Sequence, residues 1–425
     1  MTTSTGTNDR SSYVSLLWIM LFDHTSLNII FPVLTLLFFD SQSRLFPAGT
    51  LDAVRSHWYG LCIAIPPAVN FFCAPLLGIL SDCYGRKNIL LVASLGALIF
   101  ALTAAFSVLY GSLALLFVAC FIRGMFSRTN PVAQAVVGDL NLDGQTAGLK
   151  SRKIIYMGYL QTAISLGAFV GPVLGGNLAG LIAFDRLNFS LPFFVAAVFA
   201  LIAFFLTLCF FRETLKERHS FSLFKITHWP SLRGLVTNRR IAAISLVLLL
   251  SQFSWSLYYQ FIPPTLKILL HASAHQIGYF VGWIAVWLAL STWLGIRLLD
   301  QFLEATGILM VSLWLVFVGT LFSVLFLAYF PSETGQWLLW LTAVPVAAGD
   351  VIAFSCLCTL YSDAVQKTEQ GRIMGVCFIV IAAVWTTTGL IGGQLLAMHT
   401  LLPLVVAPAG ALISVIAARW VNSED

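Results

Sequence analysis

Residues 78 to 87 read GILSDCYGRK, a short polar turn set between two apolar runs, 57–80 before it and 88–109 after it. At 1.5 Å of rise per residue, about 20 apolar residues cross the hydrocarbon layer of a bilayer. Each flanking run is that long. The turn therefore joins two membrane-spanning helices, with Asp82, Arg86 and Lys87 held at one membrane surface.

Extending outward, the same pattern repeats along the chain. Runs at 13–38, 57–80, 88–109, 112–138, 154–181 and 191–211 are followed by a polar interval, and then by runs at 241–266, 277–299, 305–330, 337–361, 371–398 and 400–420. Of 425 residues, 59% are hydrophobic and 10% charged, with a mean hydropathy of +0.90. That composition excludes a soluble globular protein. The expected fold is an all-α polytopic membrane protein of twelve transmembrane helices in two pseudo-symmetric six-helix halves. The expected boundaries are 1–211 for the first half, 212–240 for a linker and 241–425 for the second half. The first twelve residues are polar, and no small-residue cleavage pattern follows the first run, so an uncleaved first span is expected.

Charge orients these spans. The linker carries Arg212, Lys216, Arg218, Lys225, Arg233, Arg239 and Arg240 against Glu213 and Glu217. With that side taken as cytoplasmic, Arg10, Arg86, Lys87, Lys150, Arg152, Lys153, Arg297, Lys367, Arg372 and Arg419 fall there too, while Arg44, Arg55, Arg186 and Lys267 fall outside. The bias follows the positive-inside rule and places both termini in the cytoplasm. The net charge of +5 is thus a record of topology, and no nucleic-acid partner is needed to explain it. The eight cysteines lie in or beside apolar runs, so no disulfide framework is expected, and Cys356 and Cys358 read as core residues.

Against this background a few polar residues stand inside the spans. Asp23 and His24 lie in the first run, Arg123 and Arg128 in the fourth, and Asp350 in the tenth. A charge near the bilayer centre costs at least about 2.5–3.5 kcal/mol, so it should face a watered cavity or an ionic partner. The seventh run lacks charge but holds Gln252, Trp255, Tyr258, Tyr259 and Gln260. Polar character thus recurs on one helix in three, as expected of a transporter built from three-helix repeats around a central path for substrate and protons. On a helix His24 and Asn28 share a face and Asp23 points about 100° away. The plainer alternative is that these charges only lock helices together.

Other chemistry leaves no mark. There is no H-E-x-x-H, nucleotide-binding loop or nucleophile elbow, and the longest soluble stretch, about thirty residues, is too short for a core of its own. The histidines of HASAH, 271–275, read as part of a polar loop. The expectation is a protein that is not an enzyme, with no cofactor and no bound metal.

The opening turn resembles the signature loop of the major facilitator superfamily, G-x-L-x-D-R-x-G-R-R/K. Gly78, Leu80, Asp82, Gly85, Arg86 and Lys87 are in register, and Cys83 departs from the usual basic residue. The glycines suit close helix approach and a tight turn, Asp82 suits the positive end of a neighbouring helix, and Arg86 suits an acid, for which Asp139 is placed. The resemblance implies a conformational latch that stabilises the outward-facing state. In the fifth run GAFVGPVLGG, 167–176, resembles the antiporter motif of proton-coupled exporters in that superfamily, through Gly167, Gly171, Pro172, Gly175 and Gly176. Glycines four apart let another helix pack closely, and Pro172 should bend the span. Asp23 followed by Pro32, LPFFVAA at 191–197 and FRET at 211–214 look like the tetracycline-exporter branch. The match covers the first half. In the fourth run Arg123 adjoins Gly124, whereas the family places its arginine four residues earlier, where Cys120 stands; in the second half LGIRLLDQF, 294–302, is a ragged echo of the loop.

These readings converge on a secondary transporter of the inner, or plasma, membrane, a proton-coupled exporter of a small organic compound working by alternating access, with a monomer as the expected form. Asp23 is the first choice for the protonating group and Asp350 the second. Two arginines suit a carboxylate or phosphate on the substrate. The alternatives are a proton symporter importing an organic acid, siderophore or other nutrient, and a sensor that keeps the transporter fold.

Overall fold

The computed structural model describes residues 4–126, 129–139, 149–179, 187, 189–215, 239–330, 333–365 and 370–422. In chain order the α-helices are α1 (Ser4–Phe39), α2 (Asp52–Tyr84), α3 (Arg86–Tyr110), α4 (Leu113–Phe126), α5 (Thr129–Asp139), α6 (Leu149–Leu178), α7 (Leu191–Cys209) and α8 (Arg239–Leu269). There follow α9 (Ala274–Leu290), a π-helical turn (Ser291–Gly295), α10 (Ile296–Asp300), α11 (Ala305–Tyr329), α12 (Glu333–Asp363), α13 (Gln370–Met398) and α14 (Leu402–Asn422). Among the described residues no strand occurs. In lipid every backbone N–H and C=O must be satisfied within the segment, and helices achieve this.

Among the described residues eleven spans are long and apolar enough to cross a membrane, or twelve when the bent α2 is counted as one span. The bend of 50° lies between Asp52–Cys73 and Leu76–Tyr84, and the break contains Pro75, which has no backbone donor. The fourth expected span is one span, Leu113–Asp139, of which α4 and α5 are the described parts on either side of residues 127–128. The eighth expected span is interrupted by the π turn before it ends as α10. Most of the linker, 216–238, lies outside the described residues, as does Arg128.

Two compact units are present. The first comprises Met1–Leu34 with Phe72–Thr227, and the second Thr35–Phe71 with His228–Asp425. The first has a core of Leu16, Ile19 and Met20 from α1, Ile89 and Leu90 from α3, Val132 and Val136 from α5 and Ile164 from α6. Steps of three and four along each helix gather these side chains on one face. In the second unit Ile244, Val247 and Leu248 of α8 meet Leu309 and Leu313 of α11, Leu357 and Tyr361 of α12 and Val415 of α14.

Residues 35–71 are bound tightly within the second unit. Lys267 Nζ lies 2.6 Å from Asp40 Oδ2, and the Tyr59 hydroxyl donates to the Gln260 carbonyl at 3.0 Å. A Cβ on Gly60 would stand 2.6 Å from both the Gly389 carbonyl oxygen and Gly393 Cα. Only glycine permits α2 and α13 to come so close.

Candidate functional site

Asp23 sits near the middle of the span Ser11–Phe39 and is 1% exposed. Its Oδ2 accepts a hydrogen bond from the Thr129 hydroxyl at 2.7 Å. Next to it, His24 Nε2 donates to Asn130 Oδ1 at 2.6 Å, while Asn28 Nδ2 returns to the His24 carbonyl at 2.8 Å. Two successive residues of α5 therefore meet both neighbours in turn. Sequence reasoning does not single out Thr129 and Asn130. The available signal is a polar run, 127–130, just before Pro131 in an otherwise apolar stretch.

Asp23 and Arg123 line one cavity of about 10 Å³ together with Leu27, Ala97, Phe100 and Thr129. Such a space admits about one water. The Arg123 guanidinium lies over the Phe100 ring, 5.5 Å from its centre, an arrangement that favours a cation. Arg123 thus shares the carboxylate's cavity although its sequence position departs from the family pattern.

The glycine stripe of α6 fixes the orientation of α1. A Cβ on Gly167 would lie 2.7 Å from His24 Cβ, and one on Gly171 would lie 2.7 Å from Asn28 Cβ and 2.8 Å from the Thr25 carbonyl. One on Gly175 would run into the Ile29 carbonyl. The His24–Asn28 face is therefore pressed on α6, and Asp23, about 100° round the helix, is turned toward α5 and the cavity. Gly176 is buried, and α6 is continuous through Pro172.

At the turn between α2 and α3, Arg86 is the centre of a polar cluster. Its Nε lies 3.0 Å from Asp139 Oδ2 and its Nη1 2.6 Å from Asp82 Oδ1; Nη1 also donates to Ser81 Oγ at 2.8 Å. Among the described residues Asp82 pairs with Arg86 and caps no helix. That position belongs to Glu213, whose two oxygens accept the backbone N–H groups of Arg86 (3.0 Å) and Lys87 (3.2 Å). Lys87 Nζ in turn donates to the Leu208 carbonyl at the end of α7 at 2.9 Å. The reason is Gly85: its φ of 103° is strained for any side chain. A Cβ there would also collide with the Glu213 carboxylate. Gly78 corrects the expectation of close approach, because a Cβ on it would meet no described residue within 4 Å.

The second unit holds a separate polar cluster. Asp350, at the middle of the span Trp337–Asp363, accepts from Gln252 Nε2 at 3.0 Å. The Trp385 indole donates to Gln252 Oε1 at 3.4 Å, and Gln260 Nε2 donates to the Trp385 carbonyl at 3.3 Å. Trp255 and Tyr259 stack with ring centres 5.2 Å apart, Tyr259 lies 6.1 Å from Trp385, and Tyr258 lies 6.4 Å from Trp255. Ser256 donates to Thr388 at 2.7 Å. Sequence reasoning misses Trp385 and Thr388; the signal is WTTTG, 385–389, in an apolar run.

The comparisons with known proteins agree with this architecture. The chain is 33% identical over 208 residues to the class H tetracycline resistance protein of Pasteurella multocida, a match covering 49% of this chain and 46% of that one. The chain thus spans about half the length of that relative. With the class B tetracycline resistance protein of Escherichia coli it shares 27% identity over 402 residues, 92% of this chain and 88% of the relative. With the proton-coupled folate transporter of Bos taurus it shares 26% over 349 residues, 77% and 69% of the two chains. Among solved structures, the human organic anion transporter MFSD10 superposes with a TM-score of 0.68 at 17% identity, covering 96% of this chain and 99% of that one. The nucleoside transporter NupG gives 0.73 at 12% identity, with coverage of 96% and 99%. At those identities the likeness is one of fold. The family model described as Major Facilitator Superfamily matches residues 16–390, and the chain belongs to that superfamily as an integral membrane protein.

Proposed function

We propose that the chain is a secondary transporter that exports a small organic compound in exchange for protons by alternating access. The observation that carries this reading is Asp23. A carboxyl group in the middle of a span, beside Thr129, Arg123 and a water-sized cavity, is a costly arrangement that packing alone does not require. A proton and a cation compete for one such carboxylate, and that competition couples their movements. The tetracycline resistance relatives support drug efflux as its direction.

In this reading 1–211 and 241–425 are the two halves, 212–240 is the cytoplasmic linker, and the working form is a monomer in the inner membrane with both termini in the cytoplasm. Asp23, His24, Asn28, Arg123, Arg128, Gln252, Trp255, Tyr258, Tyr259 and Asp350 belong to the substrate and proton pathway. Gly78, Asp82, Gly85, Arg86, Lys87 and Asp139 form the latch, and the stripe from Gly167 to Gly176 supports α1.

Proteoliposomes with an imposed pH gradient test the reading. Gradient-driven flux should be present in the native chain and lost in Asp23→Asn; pH-dependent flux that survives in Asp23→Asn removes the assignment. A second reading, proton-driven import of an organic acid, is favoured by Arg123 in the cavity and by the similarity to a folate transporter. Cells lacking the protein accumulate the compound if it is exported and starve for it if it is imported.

A further inference from the structure

The second unit has a buried carboxylate whose hydrogen-bond partner among the described residues is a neutral amide. Asp350 is 8% exposed and accepts from Gln252. An ionised carboxylate at that depth calls for a cation. The side chains around it supply what a cation of one particular kind needs. Trp255 and Tyr259 stack at 5.2 Å, and Trp385 stands 6.1 Å from Tyr259. Tyr259 and Trp385 are only half-buried, which leaves ring surface on offer. Ring faces attract cations and stack on flat aromatic bodies, whereas they and a carboxylate together repel an anion.

Gln252 ties the two features together. Its carbonyl oxygen is held by the Trp385 indole and its amide nitrogen by Asp350, so the ring and the carboxylate keep a fixed separation. Two turns on, Gln260 is anchored through Nε2 to the Trp385 carbonyl. Its Oε1 is buried and has no hydrogen-bond partner among the described residues. A buried acceptor left open costs free energy unless something donates to it, and an N–H group on a ligand would do so.

We propose that Asp350, Gln252, Gln260, Trp255, Tyr259 and Trp385 form a subsite for an organic cation, a protonated or quaternary amine carried on a flat aromatic body. This deepens the transport reading and rests on it. Asp23 in the first unit is where proton and cargo compete, and Asp350 in the second holds the charge of the cargo while its aromatic body is bound. The two carboxylates thereby have different work.

The probe is ethidium, a permanently charged planar aryl cation, titrated at equilibrium without any gradient against the full-length protein in lipid nanodiscs. Its competitor is 9-anthracenecarboxylate, an aryl anion of similar flatness. Asp350→Asn, which keeps the shape and removes the charge, should weaken ethidium at least about tenfold, and Trp385→Leu or Tyr259→Leu about fivefold, as loss of charge pairing and of a ring face predicts. Trp385→Phe should restore most of the loss. Trp337→Phe, at an exposed ring far along α12, should leave affinity unchanged. Each variant is used only if it elutes as the native chain does and melts at the same temperature. Native affinity in both Asp350→Asn and Trp385→Leu, or displacement of ethidium by the anion as readily as by unlabelled cation, overturns the subsite. Binding that follows the expected pattern while gradient-driven flux is absent keeps the subsite and overturns the proton-coupled reading; flux without such binding does the reverse.

Discussion

Asp23 and Thr129 show what one hydroxyl contributes away from bulk water. The threonine supplies a hydrogen bond to the carboxylate at 2.7 Å, and leaving a buried acceptor unsatisfied costs about 1–3 kcal/mol. Thr129→Val, which keeps the shape and deletes the donor, should lower the melting temperature of the purified protein, and Thr129→Ser should recover it. Glu213 is a second residue of this kind. Its carboxylate closes the first two N–H groups of α3, and losing such a cap costs about 1 kcal/mol. Glu213→Ala should therefore melt earlier than the native chain in a thermal scan, with Glu213→Gln in between, because the amide oxygen still accepts but carries no charge for the helix dipole. Asp23 and Asp350 are visible in the sequence because a carboxylate inside an apolar run is costly and rare. Thr129 and Trp385 are not, and Glu213 appears there within FRET, 211–214, without its capping role, since such a residue gains its role only from a partner about a hundred residues away.

Among elements, α6 is defined by the helix it touches. Its stripe admits the α1 backbone at Gly167, Gly171 and Gly175, and no larger residue fits without moving that helix. Gly171→Leu should abolish stable insertion or drop the melting temperature sharply, since overpacking costs about 1–3 kcal/mol. Gly78→Ala is the contrast. With open space around it, the new methyl should leave stability equal or raised by about 0.5–1 kcal/mol, the ordinary gain of alanine over glycine in a helix. Glycines at a constant spacing of four make the α6 stripe legible from the sequence alone. The break in α2 and the π turn after α9 are not legible in hydropathy, which records compatibility with lipid and is blind to local backbone hydrogen bonding.

For the whole molecule, the count and order of spans follow from length and apolarity. The grouping of the chain does not. Hydropathy gives no hint that residues 35–71 belong with 228–425, because that grouping depends on which glycines and which charges meet. Asp40 and Lys267, both largely buried and 2.6 Å apart, carry part of it. Removing either partner leaves an uncompensated charge. Asp40→Asn and Lys267→Gln should each destabilise the protein by about 1–3 kcal/mol, and the exchange Asp40→Lys with Lys267→Asp should restore much of the loss, read as melting temperature; a double variant no better than the singles would mean that the attraction between the two charges contributes nothing.

The shared path of α1 and α2 has a consequence for anyone who cuts this chain. A protease acting after residue 215 would yield two fragments, but the first would still carry residues 35–71, whose hydrogen bonds, ion pair and glycine contacts reach Gln260, Lys267, Gly389 and Gly393. The pieces should remain together on an affinity column bearing a tag on either one, and part company only in a denaturant strong enough to melt helices.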